Sequence, residues 1–276
     1  MRLAMLLLLW VWTMVAQGHD DPHAGMVLDT ANGIWLTPVM LVESLASATH
    51  VLVGEKHDNP DHHRLQLWLL QQLHDRRPQG SLLMEMIEPA QQAAVDRLQN
   101  QTPQDSGALE RELEWSEGWD WALYGPLVRW GLSHPERLLA ANLGAEEMRA
   151  IYQAPPPTSP VYDGAAIKAL NDAISSSHCG KLPEGQFPAM LSIQQARDAH
   201  MAGQLIEAPT PALLLAGNFH VRKDLGAPLH WPEEGLDQPL VVMLVEVGSE
   251  LPDRSQADFV WVTAALPAQD YCAQWE

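Results

Sequence analysis

Six apolar runs of strand length, separated by longer stretches with helical spacing, restrict this chain to few architectures. They span residues 50–53, 81–87, 137–141, 212–216, 240–247 and 259–263. Leu and Val dominate them without alternating polar residues, which is the pattern of strands buried on both faces. Strands of this kind interleaved with helices build a parallel sheet with helices over it. The expected fold is therefore α/β, with a mainly parallel sheet flanked by helices.

The intervening segments carry ordinary helix signals. Asp58-Asn59-Pro60 supplies a cap and a first-turn proline, and Leu65, Leu69 and Leu73 then mark a buried stripe up to about residue 77. A second helix is expected over 89–99, and two more between 105 and 134, carrying Trp115, Trp119, Trp121, Tyr124 and Trp130. Pro155-Pro156-Pro157 breaks any helix. A helix near 163–177, a Gly/Pro-rich loop over 179–188 and a long helix over 189–207 follow. About 70 residues thus separate the third and fourth strands, too many for a simple crossover. Residues 145–207 read as a helical insertion packed over the sheet, inside a single domain of residues 19–276.

The first eighteen residues read as a cleaved secretory signal peptide. Met1-Arg2 is a basic start, residues 3–16 are almost unbroken apolar, and Ala16-Gln17-Gly18 is a small-x-small cleavage site. The run falls short of the roughly 20 residues that span a bilayer, so no membrane anchor is expected. No Cys follows it for lipid attachment, since Cys179 and Cys272 are the chain's two cysteines. Export makes a disulfide between them the expectation. Removing residues 1–18 leaves 15 basic against 35 acidic residues, a net charge of −20. Such a chain repels phosphate backbones and anionic lipid surfaces, which argues against nucleic-acid or membrane-surface partners.

Two strand ends share a pattern. Val51-Leu52-Val53 runs into Gly54-Glu55-Lys56-His57, and Leu214-Leu215-Ala216 into Gly217-Asn218-Phe219-His220. With 18 Gly and 12 His in 276 residues, Gly-x-x-His arises by chance about once, and Gly131-Leu132-Ser133-His134 is assigned to chance. Context separates the other two: ligands of open α/β sheets bind outside the carboxyl ends of strands. A glycine there permits a sharp turn, with positive φ where needed. Further polar groups fall on the same edge: Glu85 inside an apolar strand, Glu88, Asn142 and Glu246. A carboxylate in an apolar strand needs a partner. For Glu85 that partner is either a core Arg or Lys or a bound metal. His62 and His63 lie in the first turn of the helix opened by Pro60. Imidazoles and carboxylates converging on one edge are typical metal ligands. The Trp cluster is either core or a platform for a flat macrocycle, and its helical spacing favours core. Arg222 and Lys223 directly follow the second motif and are candidates for holding acidic groups of a ligand.

At these residues the chain resembles the ChaN family of haem-binding uptake proteins, within the superfamily that includes the Tiki proteins. The matching segments include HVLVGEKHDNPDHHRLQ (50–66), SLLMEM (81–86), GWDWALYGPLV (118–128), QQARDAHMA (194–202) and LLLAGNFHVRKDLGAP (213–228). The resemblance implies a haem-binding periplasmic protein in haem and iron uptake, with haem as cofactor and envelope haem-transport components as partners. Haem iron takes His or Tyr axially, and His57, His62, His63, His220 and Tyr124 are the candidates, with Arg222 and Lys223 for the propionates. The alternative is a Tiki-type metal-dependent hydrolase. There a divalent metal ion sits on Glu55, His57 and His220, and Glu55 and Glu85 are the catalytic carboxylates.

Overall fold

The computed structural model describes residues 21–99, 101 and 105–275. The signal sequence read above lies outside the described residues. In chain order the elements are β1 (Val27–Asp29), β2 (Ile34–Leu36), α1 (Pro38–Leu45), β3 (His50–Glu55), α2 (Pro60–Arg76), β4 (Ser81–Met84), α3 (Gln92–Leu98), α4 (Ser106–Glu112), α5 (Trp121–Gly131), β5 (Arg137–Ala140), α6 (Ala145–Gln153), α7 (Gly164–Ser177), α8 (Phe187–Glu207), β6 (Ala212–Gly217), α9 (Asn218–Val221), β7 (Leu240–Glu246) and β8 (Phe259–Thr263). They form one sheet in the order β2-β1-β8-β7-β3-β6-β4-β5. β3 to β8 are mutually parallel, and the β1–β2 hairpin adds an antiparallel edge against β8. The chain is thus a mainly parallel α/β protein.

Alternate residues of each strand feed two separate cores, as the two-residue period of a strand requires. Val51, Val53, Leu213 and Leu215 face Leu69, Leu70 and Leu73 of α2 and Leu127 of α5. Leu52, Leu214 and Ala216 face Met201, Ala202 and Leu205 of α8. Burial on both faces explains why these strands read as continuous apolar runs. A third, smaller cluster joins α7 to α8 through Leu170, Ile174 and Leu191, with Tyr162 and Leu225. Of the helices between β5 and β6, α7 and α8 share this small core, α8 also packs on the sheet, and α6 buries no residue.

Local signals act where the sequence places them. Asn59 caps α2 by accepting from the backbone N–H of Asp61 at 2.9 Å, with Pro60 in the first turn. The hairpin β1–β2 and helix α1 carry no strong sequence signal: strands of three residues are too short to show a period. The run over 81–87 stops being a strand at Met84, because the chain turns there and carries Glu85 toward β6.

The site edge follows from the strand order. From β3 the chain moves outward to β4 and β5, returns through β6 directly beside β3, and then crosses to β7 on β3's other side. This change of direction leaves a crevice at the carboxyl ends of β3, β6 and β7, where open α/β sheets bind ligands.

Candidate functional site

A cavity of about 570 Å³ fills that crevice. Its polar side holds Glu55, His57, Glu85, Arg197 and His220; its apolar side holds Trp119, Phe219, Leu244 and the α7 residues Leu170 and Ile174. The parallel register sets Glu55 of β3 opposite Gly217 of β6, so both Gly-x-x-His turns open into one cavity.

Neither motif glycine has positive φ; the left-handed glycines of the described residues lie elsewhere. The chain turns just after each without needing positive φ, and what each glycine supplies is room for close packing. A Cβ on Gly54 would stand 2.4 Å from Asn218 Oδ1 and Val221 Cγ2, and one on Gly217 would stand 2.8 Å from the His57 ring. Gly217 is the bare floor on which His57 lies.

His57 Nδ1 donates to Glu55 Oε1 at 2.7 Å, and the Tyr124 hydroxyl donates to the same oxygen at 2.9 Å. The Glu55 side chain is fully buried, whereas that of His57 is 46% exposed toward the cavity. Trp119 packs edge-on against the ring with centroids 4.9 Å apart. Among the described residues His57 Nε2 has no hydrogen-bond partner. Burial opposes protonation of His57, but the hydrogen bond to Glu55 and the carboxylates of Glu85 and Glu55 outweigh it and raise its pKa.

His220 sits differently. Its Nδ1 donates to Asp198 Oδ1 at 2.6 Å, and its Nε2 lies 3.5 Å from Glu85 Oε1, so carboxylates face both ring nitrogens. Glu85 accepts from the Gly217 N–H at 2.7 Å and from the Arg197 guanidinium, whose Nε donates to Asn142 Oδ1 at 2.9 Å. Burial works against an ionised Glu85, yet His220, Arg197 and His57 together hold its carboxyl well below the usual range. Asp198, also fully buried, is shifted the other way, because desolvation exceeds the help from His220 and Arg197. Of the two readings open for Glu85, the pairing with a core arginine is the one present, and that same pair forms part of the cavity wall.

The remaining candidates are placed elsewhere or are already engaged. His62 is buried, accepts at Nδ1 from the Lys56 N–H and donates from Nε2 to Thr263 Oγ1, so it ties α2 to β8 and has no nitrogen left for a ligand. His63 donates from Nε2 to the His57 carbonyl and packs on Tyr124. Tyr124 is buried, and burial with Glu55 beside it pushes its pKa far upward, which keeps the phenol a donor to Glu55. Arg222 pairs with Asp224 in a neighbouring groove. Lys223 pairs with Asp258 just ahead of β8, on the amino side of the sheet. The cations at the cavity are instead Lys56 and Arg197. Glu55 Oε1 and both Glu85 oxygens accept from donors, Glu55 Oε2 is buried with no hydrogen-bond partner, and among the described residues no group of three His, Cys, Asp or Glu side chains is placed to hold a metal ion.

Sequence reasoning gave no role to Arg197, Asp198 or Gln194. One signal was available for Asp198: it falls on the buried stripe of α8 with Leu191, Gln195, Ala202 and Leu205. An acidic residue on an apolar helix face requires a partner.

A family model described as haem-binding uptake, Tiki superfamily, ChaN matches residues 41–230. The chain belongs to the ChaN family. The ChaN match contains every residue of the cavity except those contributed by β7 and the turn after it. A solved structure described as cofacial haem binding to ChaN of Campylobacter jejuni is 28% identical, with a TM-score of 0.76 over 85% of this chain and 95% of that one. The type III effector HopBA1 is 15% identical, with a TM-score of 0.46 over 82% of this chain and 93% of that one. A mutant of the erythromycin esterase EreC in its open conformation is 16% identical, with a TM-score of 0.49 over 86% and 82%. No curated protein matches the chain.

Proposed function

We propose that this ChaN protein binds haem in the cavity between β3, β6 and β7, with His57 Nε2 as the axial ligand, and serves haem and iron uptake in the periplasm. The observation that carries the reading is the state of His57. Its Nδ1–H is fixed by a buried carboxylate, and its other nitrogen is left open to the cavity, as outer-shell carboxylates commonly orient ligating imidazoles. Haem-binding by the Campylobacter ChaN supports the same assignment.

The residues present fit the group. At about 570 Å³ the cavity is within the roughly 300–1,000 Å³ of cofactor sites. Leu170, Ile174, Phe219 and Leu244 provide apolar surface for a macrocycle, and Gly217 leaves room beneath His57 that a Cβ would fill. Bound haem would supply an iron with an axial position to fill and two propionates. Lys56, paired with Glu246, and Arg197, paired with Glu85, are the cations at the cavity that such acidic groups would share. Glu55 holds the His57 ring in its ligating tautomer, and Trp119 limits its rotation. His62 has both nitrogens engaged, His220 lies between Asp198 and Glu85, and His63 is buried outside the cavity lining, which leaves coordination to His57.

The signal sequence and the Cys179–Cys272 bridge support an oxidising, exported location. Titrating the purified protein with haemin tests the function. A Soret band should grow to saturation in the wild type, and His57→Ala should lose the axial spectrum while keeping its far-UV circular dichroism. An unchanged spectrum in His57→Ala would remove His57 from the site. N-terminal sequencing that finds Met1 retained on the protein isolated from its host would refute export.

A further inference from the structure

The C-terminal segment after β8 crosses the ligand edge as a strap. It leaves the sheet at Thr263 and ends in a disulfide from Cys272 to Cys179, just past the end of α7 (Cα–Cα 5.6 Å). None of residues 264–273 is buried. Among the described residues, the hydrogen bonds that tie residues 264–273 to the rest of the molecule include the Leu266 N–H to Glu246 Oε1 at 3.3 Å and the Tyr271 hydroxyl to Asp58. A segment with so little buried surface has little besides the covalent bond to hold it down.

What the bond holds is one wall of the cavity. Leu170, Ala173, Ile174 and Ser177 of α7 line it, yet α7 packs in the small cluster with α8 and not in either sheet core. A groove beside the cavity shares Lys56, Ala173, Ser177 and Phe219 with it, and its outer wall is Gln269 to Cys272 of the strap. The bridge therefore joins the free end of α7 to the last strand of the sheet, across the mouth of the crevice. Cys179 lies in left-handed backbone (φ 56°), at the position where helices commonly end on glycine, so the bond grips α7 where it terminates. The strap lies outside the region that defines the family, residues 41–230.

We propose that the Cys179–Cys272 bond is a reducible clasp that sets how firmly α7 closes the cavity, and that a dithiol reductant opens the site by releasing it. The exchange balances simply. The dithiol gives up two electrons and two protons and becomes a disulfide, and Cys179 and Cys272 become thiols. Ligand retention under oxidising conditions and release on reduction follow, the ligand being haem if the function proposed above holds.

The test measures wall and ligand separately on the full-length mature protein. Hydrogen exchange is followed in the ligand-free protein before and after dithiothreitol, and in Cys272→Ser. Amides of residues 170–177 and 264–273 should exchange at least about tenfold faster once the bond is absent, equivalent to about 1.4 kcal/mol of opening, while β3 and β6 remain the slowest to exchange. Haemin dissociation into an excess of a haem-scavenging protein should accelerate by a similar factor. Unchanged exchange in α7 overturns the clasp, and so does faster exchange with an unchanged dissociation rate. A protein that takes up no haemin in either state refutes the haem function, and the exchange result alone then decides the clasp.

Discussion

His57 and His62 are five residues apart and have opposite electrostatic fates. The hydrogen bond to Glu55 and the nearby carboxylates favour the charged form of His57 and raise its pKa despite burial. Coordination needs an unprotonated Nε2, so haem affinity should fall as pH drops through that raised value. Glu55→Gln removes the main support for the cation and should move the acid limb of a haem titration to lower pH; a limb that stays in place would disconnect Glu55 from His57. His62 is lowered from 6.5 to about 4, chiefly by desolvation. The unfolded chain then binds a proton between those values that the folded chain does not, so stability falls as pH decreases from about 6.5 to about 4. At pH 4.5 the cost is on the order of 2–3 kcal/mol. Urea unfolding at pH 7 and 4.5 should show a smaller acid loss for His62→Asn by about that amount. The sequence placed both histidines beside the site, but the distinction between them was not legible. It depends on which partner each nitrogen meets: Glu55, two residues from His57, or Thr263, 201 residues from His62.

At the scale of elements, the pairing of β3 with β6 does most to build the site. Gly217→Ala puts a methyl within 2.8 Å of the His57 ring, on a backbone (φ −61°) that alanine adopts freely. The variant should therefore fold with a near-normal melting temperature and bind haemin at least about tenfold more weakly, a loss of about 1.4 kcal/mol. Normal binding would show that the ring has room to move. His134 is the control. It follows α5 at the other Gly-x-x-His, donates from Nδ1 to the Trp130 carbonyl and stacks on Trp130, away from the cavity. His134→Ala should bind haemin as the wild type does. The long apolar strands were readable because burial on both faces leaves continuous Leu and Val runs. The three-residue strands β1 and β2 were not, because so short a segment carries no period and is fixed by pairing with β8.

For the whole molecule, the Cys179–Cys272 bridge spans a sequence separation of 93 residues and encloses β6, β7 and β8. Closing a loop of that length stabilises by roughly 4–5 kcal/mol in the chain-entropy account. The Cys179→Ser/Cys272→Ser variant should lose a comparable amount in urea unfolding, and an unchanged midpoint would mean the unfolded chain is already compact without the bond. The sequence by itself determined the α/β class, the six parallel strands, the capped helix α2, the edge that carries the cavity and the family, because each is written in local periodicity, turn chemistry or a contiguous motif. The tertiary structure decided the rest. It sent Arg222 to Asp224 and Lys223 to Asp258, and brought Arg197 and Asp198 from the far helix α8 to Glu85 and His220. It also left His57 Nε2 open toward the cavity while it engaged both nitrogens of His62. Such pairings follow from strand order and the packing of distant helices, and a buried charge takes whichever partner that packing brings within reach.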